Sequence, residues 1–106
     1  MVKFEDFQKI ELKIARVLEA EEIEDSDKLL RLVISLGEEK RQILAGIKGS
    51  YSSESLIGKE IVVVTNLEPR TIMGLQSQGM LLAAVCDSGA VLLIPEKEVP
   101  PGTGVS

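Results

Sequence analysis

Apolar residues along the first third of this chain recur mostly at every second position, the spacing of strands half-buried against a core. Ile10, Leu12 and Ile14 alternate with Lys9, Glu11 and Lys13; the phase then flips, so that Ala15 and Val17 take the apolar side against Arg16. Such a flip within one strand predicts a β-bulge, and bulges bend strands toward barrels. Leu30, Leu32, Ile34 and Leu36 form a second strand, Gly37-Glu38-Glu39 a turn, and Arg41–Ile47 the returning arm of a hairpin. Ser50 to Ile57 predicts a short helix with serines available as caps and Gly58 placed to end it. The run Ile61–Thr65 is almost wholly β-branched and predicts a strand buried on both faces. Met80–Cys86 and Ala90–Ile94 predict a second hairpin around Asp87-Ser88-Gly89, with Leu81 to Ala84 as core. The Pro- and Gly-rich stretch from Pro95 to Ser106 predicts extended or irregular backbone.

Five curved strands with one short helix between the third and fourth predict an all-β fold: a five-stranded OB-fold barrel with N- and C-terminal extensions. An SH3-like barrel or an open sandwich is the alternative topology. Phe4 and Phe7, three apart, predict an N-terminal helical turn whose apolar face docks on the barrel or on a second subunit.

At 106 residues the chain has room for one core, so residues 1–106 are read as a single domain. No apolar run approaches the length of about 20 residues that crosses a bilayer. The N-terminal residues lack a signal peptide's apolar segment, so a cytoplasmic location is the expectation, with no membrane partner. Cys86 is the only cysteine and lies in an apolar run, which reads as core rather than nucleophile. The chain has no histidine, no P-loop, no G-x-S-x-G and no paired cysteines. Neither a catalytic constellation nor a metal or cofactor site is expected.

The net charge of −5 argues against a broadly basic surface, but the charge is unevenly placed. Six acids and no base lie between Glu19 and Asp27, whereas Lys28–Arg70 holds seven bases against five acids. A compact partner read at a few points suits that balance better than long duplex. Phe4, Phe7 and Tyr51 are the only aromatic residues, too few to stack successive bases along a strand, as general single-strand binders do. Nucleic acid would have to be held through backbone shape and one or two exposed bases. Tyr51 reads equally as a stacking residue or as a contact of the short helix.

The stretch Asn66 to Ala84 carries the most specific signal. Asn66, Arg70, Ser77 and Gln78 are polar among Leu67, Ile72, Met73, Leu75 and Met80, with Pro69, Gly74 and Gly79 setting the backbone. Pro69-Arg70 fits a loop presenting a guanidinium to phosphate or a base edge. Asn66 is a base- or ribose-reading amide or a turn residue; Met80 packs under a base or in the core. Lys28 and Arg41, each read as opening a strand, line one barrel rim or are ordinary strand-end charges.

The order and wording of these segments resemble the tRNA-binding OB-domain family. Its members include free-standing dimeric tRNA-binding proteins, the C-terminal domain or separate β-subunit of methionyl-tRNA synthetase, a synthetase-associated cytokine precursor domain and a bacterial secretion-type chaperone. The likeness runs through Asp6–Val17, Ser26–Leu30, Arg41–Ile47 with Tyr51, and above all Asn66-Leu67-Glu68-Pro69-Arg70 followed by Ile72–Met80. It implies tRNA as partner, a homodimer, and a non-catalytic role beside a methionyl-tRNA synthetase catalytic domain. It also implies Lys28, Arg41, Asn66, Arg70, Ser77 and Met80 as tRNA-contacting positions; Gln78, beside them in the same run, joins the candidate set. The alternative on the same fold is a peptide-binding chaperone using Met73, Leu75 and Met80 as a soft apolar groove. Two departures stand out: Ile23 and Glu24 replace a common His-Pro pair, and Thr71 replaces a lysine that commonly follows Pro-Arg.

Overall fold

The computed structural model describes residues 1–106. In chain order the elements are α1 (Phe4–Phe7), β1 (Leu12–Glu22), β2 (Leu30–Ser35), β3 (Lys40–Ala45), α2 (Ser53–Leu56), β4 (Glu60–Val64), β5 (Arg70–Ile72), β6 (Leu75–Ser77), β7 (Met80–Leu81), β8 (Ala83–Cys86), β9 (Gly89–Leu92) and β10 (Gly104–Val105). The main sheet runs β3-β2-β1-β4-β7, antiparallel throughout, and curls so that β3 approaches the β6–β7 segment. The expected five-stranded OB-type barrel is therefore the architecture observed, with α2 between the third and fourth barrel strands as the pattern predicts.

Alternation sets which side chains fill the barrel. Leu30, Leu32 and Ile34 from β2, Ile43 and Ala45 from β3, and Ile61 and Val63 from β4 form the core with Ala15 and Val17 of β1. The bulge is real but lies further along than the phase flip suggests: the β1–β2 register shifts between Val17 and Glu19. Leu18 is the extra residue, so the core-facing positions run Ala15, Val17, Ala20. Ile14 is buried as well but stands outside the core cluster, where the C-terminal segment covers β1: its N–H donates to Thr103 O at 2.8 Å and its carbonyl accepts from Gly102 N–H at 2.7 Å. β4 is buried on both faces, as its β-branched run predicts.

The helix is shorter than Ser50–Ile57, and no serine caps it: Ser52, its N-cap, makes no side-chain capping bond. Ser50 Oγ instead accepts from Ala90 N–H at 3.0 Å. What holds α2 is Leu56, fully buried inside the barrel, a placement worth about 1.5–3 kcal/mol. Gly58 follows with φ of +89°, the termination expected of it. Tyr51 serves the fold, its phenolic oxygen accepting from Leu92 N–H at 3.0 Å.

Three expectations near the C-terminal half need correction. Met80–Cys86 is not one strand: β7 pairs with β4, then the chain leaves the barrel and β8 pairs only with β9. Leu81 and Ala83 are only partly buried and Ala84 is exposed, so the segment is not core throughout. Cys86, placed on that projecting hairpin, is exposed rather than buried, and its thiol is pushed below its ordinary range by the Ser88 hydroxyl at 3.1 Å and by neighbouring backbone.

Besides its backbone bonds to β1, the C-terminal segment is held by a buried carboxylate. Glu60 Oε1 accepts from Val99 N–H at 2.9 Å, while Arg16 lies 3.6 Å from Oε2 and reaches Glu98 at 2.7 Å. No helix is long and apolar enough to cross a membrane.

Candidate nucleic-acid interface

The connection from β4 to β7 folds back as the small β5–β6 hairpin, register Arg70↔Ser77 to Ile72↔Leu75. Its turn is Met73-Gly74, both with positive φ (+52° and +79°), the signature of a type I′ hairpin turn. Arg70 thus opens a short strand rather than sitting in an irregular loop. The segment from the hairpin to β7 bonds along the free edge of β3 and leaves a cleft of about 460 Å³ lined by Leu44, Leu67, Glu68, Arg70, Ile72, Ser77, Gly79 and Met80. In OB barrels the face of the second and third strands and the loop joining the fourth and fifth are where oligonucleotides bind.

The cleft floor is fixed by internal bonds. Ser77, 7% exposed, accepts from Leu44 N–H at 3.0 Å and donates to Gly79 O at 3.0 Å. Gln78 joins β3: its N–H donates to Gln42 O at 2.8 Å and its Oε1 accepts from Gln42 N–H at 3.1 Å. Gln42 Nε2 donates in turn to Gln76 O at 2.8 Å. Gly79 has a φ of +149°, which side-chain-bearing residues rarely adopt, and a Cβ there would crowd Val64 O at 3.1 Å.

The residues expected to touch a ligand divide by whether their polar atoms are free. Arg41 shares the core-facing side of β3 and is engaged at the barrel end. It donates to Thr65 O and to Gln78 O and pairs with Glu39 at 3.0 Å. Asn66 uses both ends of its amide, accepting from Glu11 N–H at 2.8 Å and donating to Lys9 O at 2.7 Å. Ser77 and Gln78 are spent on the floor. Arg70 is exposed and forms neither an ion pair nor a side-chain hydrogen bond within the chain. Lys28 is exposed too; it sits in the β1–β2 connection, two residues before β2, and not in the cleft lining. Met80 stands 48% exposed at the cleft wall. The structure therefore brings Arg70, Ser77 and Met80 into one cleft, sets Gln78 and Arg41 behind it, and leaves Asn66 and Lys28 outside its lining.

Leu44, Leu67, Glu68 and Ile72 also line the cleft and were not singled out from the sequence. Leu44 carried a signal: in Ile43-Leu44-Ala45 three apolar residues follow one another on a strand, so one must face outward. Glu11 is the one acid here with a shifted carboxyl. The Thr65 hydroxyl first, then the Lys13 ammonium at 3.6 Å, hold it below the usual glutamate range.

No cluster of His, Cys, Asp or Glu is arranged to hold a metal ion. A small OB-type barrel with a rigid, partly apolar cleft and one free guanidinium defines a ligand-binding module of the nucleic-acid type. Residues 12–104 match the family model described as "Putative tRNA binding domain". The chain belongs to that tRNA-binding domain family.

Relatives and solved structures agree. The chain is 54% identical over 105 residues to a methionine--tRNA ligase of Thermotoga maritima and 53% identical over 105 residues to that of Methanococcus aeolicus. It aligns over 99% of its own length with each but spans only 17% and 16% of theirs. Among structures, a MetRS-related protein from Pyrococcus horikoshii superposes with a TM-score of 0.94 at 36% identity, covering 100% of this chain and 98% of that one. The chaperone CsaA of Bacillus anthracis superposes at 0.91 with 39% identity, covering 100% and 99%.

Proposed function

We propose that this chain is the non-catalytic tRNA-binding module of a methionyl-tRNA synthetase, carried as a C-terminal domain or as a separate β-subunit, and working in the cytoplasm. It holds tRNA by shape and phosphate charge, largely independent of sequence, and so raises the tRNA concentration at the partnered catalytic domain. The observation that carries this reading is the unpaired Arg70 at the cleft of an OB barrel whose relatives are methionyl-tRNA ligases. Lys28 supplies a second free cation. Ser77, Gln78 and Arg41 act by holding the cleft in shape, and Asn66 by joining the β4–β5 connection to the segment before β1.

A homodimer is part of the proposal. Phe4 and Phe7 of α1 are 70% and 42% exposed, Ile10 is 48% exposed, and with Val105 they border one shallow apolar depression. A second copy would cover that surface.

Filter-binding titration with whole tRNA over a range of salt tests the reading. Tighter binding of tRNA than of a size-matched RNA duplex is expected, and Arg70→Ala should weaken it. Equal affinity for both RNAs, unchanged by Arg70→Ala, would refute it. The likeness to CsaA and the apolar cleft walls favour a chaperone as the second reading. Unfolded polypeptide that displaces tRNA, or binds where tRNA does not, would establish it instead.

A further inference from the structure

Glu68 and Arg70 line the same cleft, yet they do not pair with each other or with any other side chain. A free carboxylate is out of place in a site for phosphate alone, because it repels the ligand's charge. The group that lies against Glu68 must offer N–H or O–H donors, and the group against Arg70 must offer acceptors. The same cleft is lined by Leu44, Leu67, Ile72 and Met80, walls suited to a flat ring. The volume, about 460 Å³, falls within the range of sites that enclose small organic groups, roughly 300–1,000 Å³.

From this geometry we infer that the cleft takes a single unstacked guanine of the bound RNA. Guanine presents two adjacent donors, N1–H and N2–H₂, which one carboxylate accepts together. It also presents O6 and N7, the acceptors an arginine reads as a pair. Adenine and cytosine bring a lone amino group to the carboxylate, and uracil brings an imino group flanked by two carbonyls that oppose it. Glu68 is the acceptor for the Watson–Crick edge and Arg70 the donor to O6 and N7. The floor set by Ser77 and Gly79 keeps the cleft open without ligand, so ordering it costs little at binding. This inference rests on the tRNA-binding reading and adds one base-dependent contact to otherwise phosphate-based affinity.

Nuclear magnetic resonance titration of the full chain with the pentaribonucleotides UUGUU and UUUUU tests it. UUGUU should bind at least about 10-fold more tightly, the worth of one bidentate base contact, and should shift the amides of Leu44 and of Leu67 to Met80. Glu68→Gln should bring the ratio of the two affinities close to one. A wild-type ratio of one, guanine-dependent shifts elsewhere, a ratio untouched by Glu68→Gln, or no binding of either pentamer overturns the guanine assignment. Whole-tRNA binding measured in parallel separates the two readings: tRNA bound without guanine preference removes only the assignment, and tRNA not bound removes both.

Discussion

The side chain of Gln78 completes a β-ladder with the backbone of Gln42. Gln78 N–H donates to Gln42 O at 2.8 Å, and the return bond, from Gln42 N–H, ends at 3.1 Å on the Gln78 amide oxygen rather than on a main-chain carbonyl. One side chain thus substitutes for a strand residue where the barrel closes. Gln78→Ala leaves a partly buried N–H without its partner and should lower stability by about 1–3 kcal/mol. Gln78→Glu keeps an acceptor oxygen and should lose less. Urea denaturation checks both, and equal stability of wild type and Gln78→Ala would show that the closure does not depend on this bond.

Ser77 offers a clean separation of structural from contact roles. Its hydroxyl is buried and engaged with Leu44 N–H and Gly79 O. Ser77→Ala should therefore cost about 1–3 kcal/mol of stability. The affinity of the folded protein for tRNA, measured well below the unfolding transition, should change by less than about twofold, far below the factor of 10 that 1.4 kcal/mol of lost contact would bring. A large fall in affinity at unchanged stability would make Ser77 a ligand contact instead.

These two residues also show how far the sequence could be read. Strand order and the first hairpin follow from alternation alone, because Leu30, Leu32 and Ile34 against Ile43 and Ala45 leave one register that buries them all. The bulge was displaced because Ile14 is apolar and buried yet stands outside the core cluster, and alternation does not say which of two covered faces is the barrel. Cys86 misled for a related reason. An apolar run reads as buried, but only the base of the β8–β9 hairpin, with Leu92, stays in the core, and its outer part leaves Val85 85% exposed. The stretch from Asn66 to Met80 was recognisable as special from its polar residues among apolar ones. What those side chains bond was not, since a buried polar group needs partners whether it serves a ligand or the fold. Arg41, Asn66, Ser77 and Gln78 spend their hydrogen bonds internally, and of the three charged candidates Arg70 and Lys28 keep a free charge.

Arg16 governs the C-terminal segment through Glu60. The Glu60 side chain is 7% exposed, and its Oε2 has no hydrogen bond, only Arg16 at 3.6 Å. Arg16→Met would strand that charge. The usual cost of breaking a buried pair is about 3–5 kcal/mol; Arg16 is partly solvated, which places the expected loss near the lower end, about 3 kcal/mol. Arg16→Met with Glu60→Gln should recover much of it, and a double-mutant cycle measures the coupling. Hydrogen exchange at Val99 and Gly102 should quicken in Arg16→Met alone. Unchanged exchange there would mean that the segment is held by its backbone bonds and not by the ion pair.

Glu11 and Thr65 give the fold an acid-sensitive join between the start of β1 and the end of β4. Thr65 N–H donates to Glu11 O at 2.9 Å, and the Thr65 hydroxyl donates to the Glu11 carboxylate. That hydroxyl first, then Lys13, holds the carboxyl below the usual glutamate range in the folded chain. A carboxyl depressed on folding contributes stability that is fully present above its unfolded value and is lost as pH falls through its folded one. Thr65→Val removes the leading cause, so the Glu11 carboxyl should titrate at higher pH, still held down in part by Lys13. The stability gap between wild type and Thr65→Val should be widest near neutral pH and should narrow as the solution is taken below the usual glutamate range. Carboxyl chemical-shift titration follows the first effect, and urea denaturation at a series of pH values follows the second. A gap that stays constant from neutral to acid would assign the whole effect of Thr65→Val to lost packing and backbone contact, leaving the Glu11 charge no part in it.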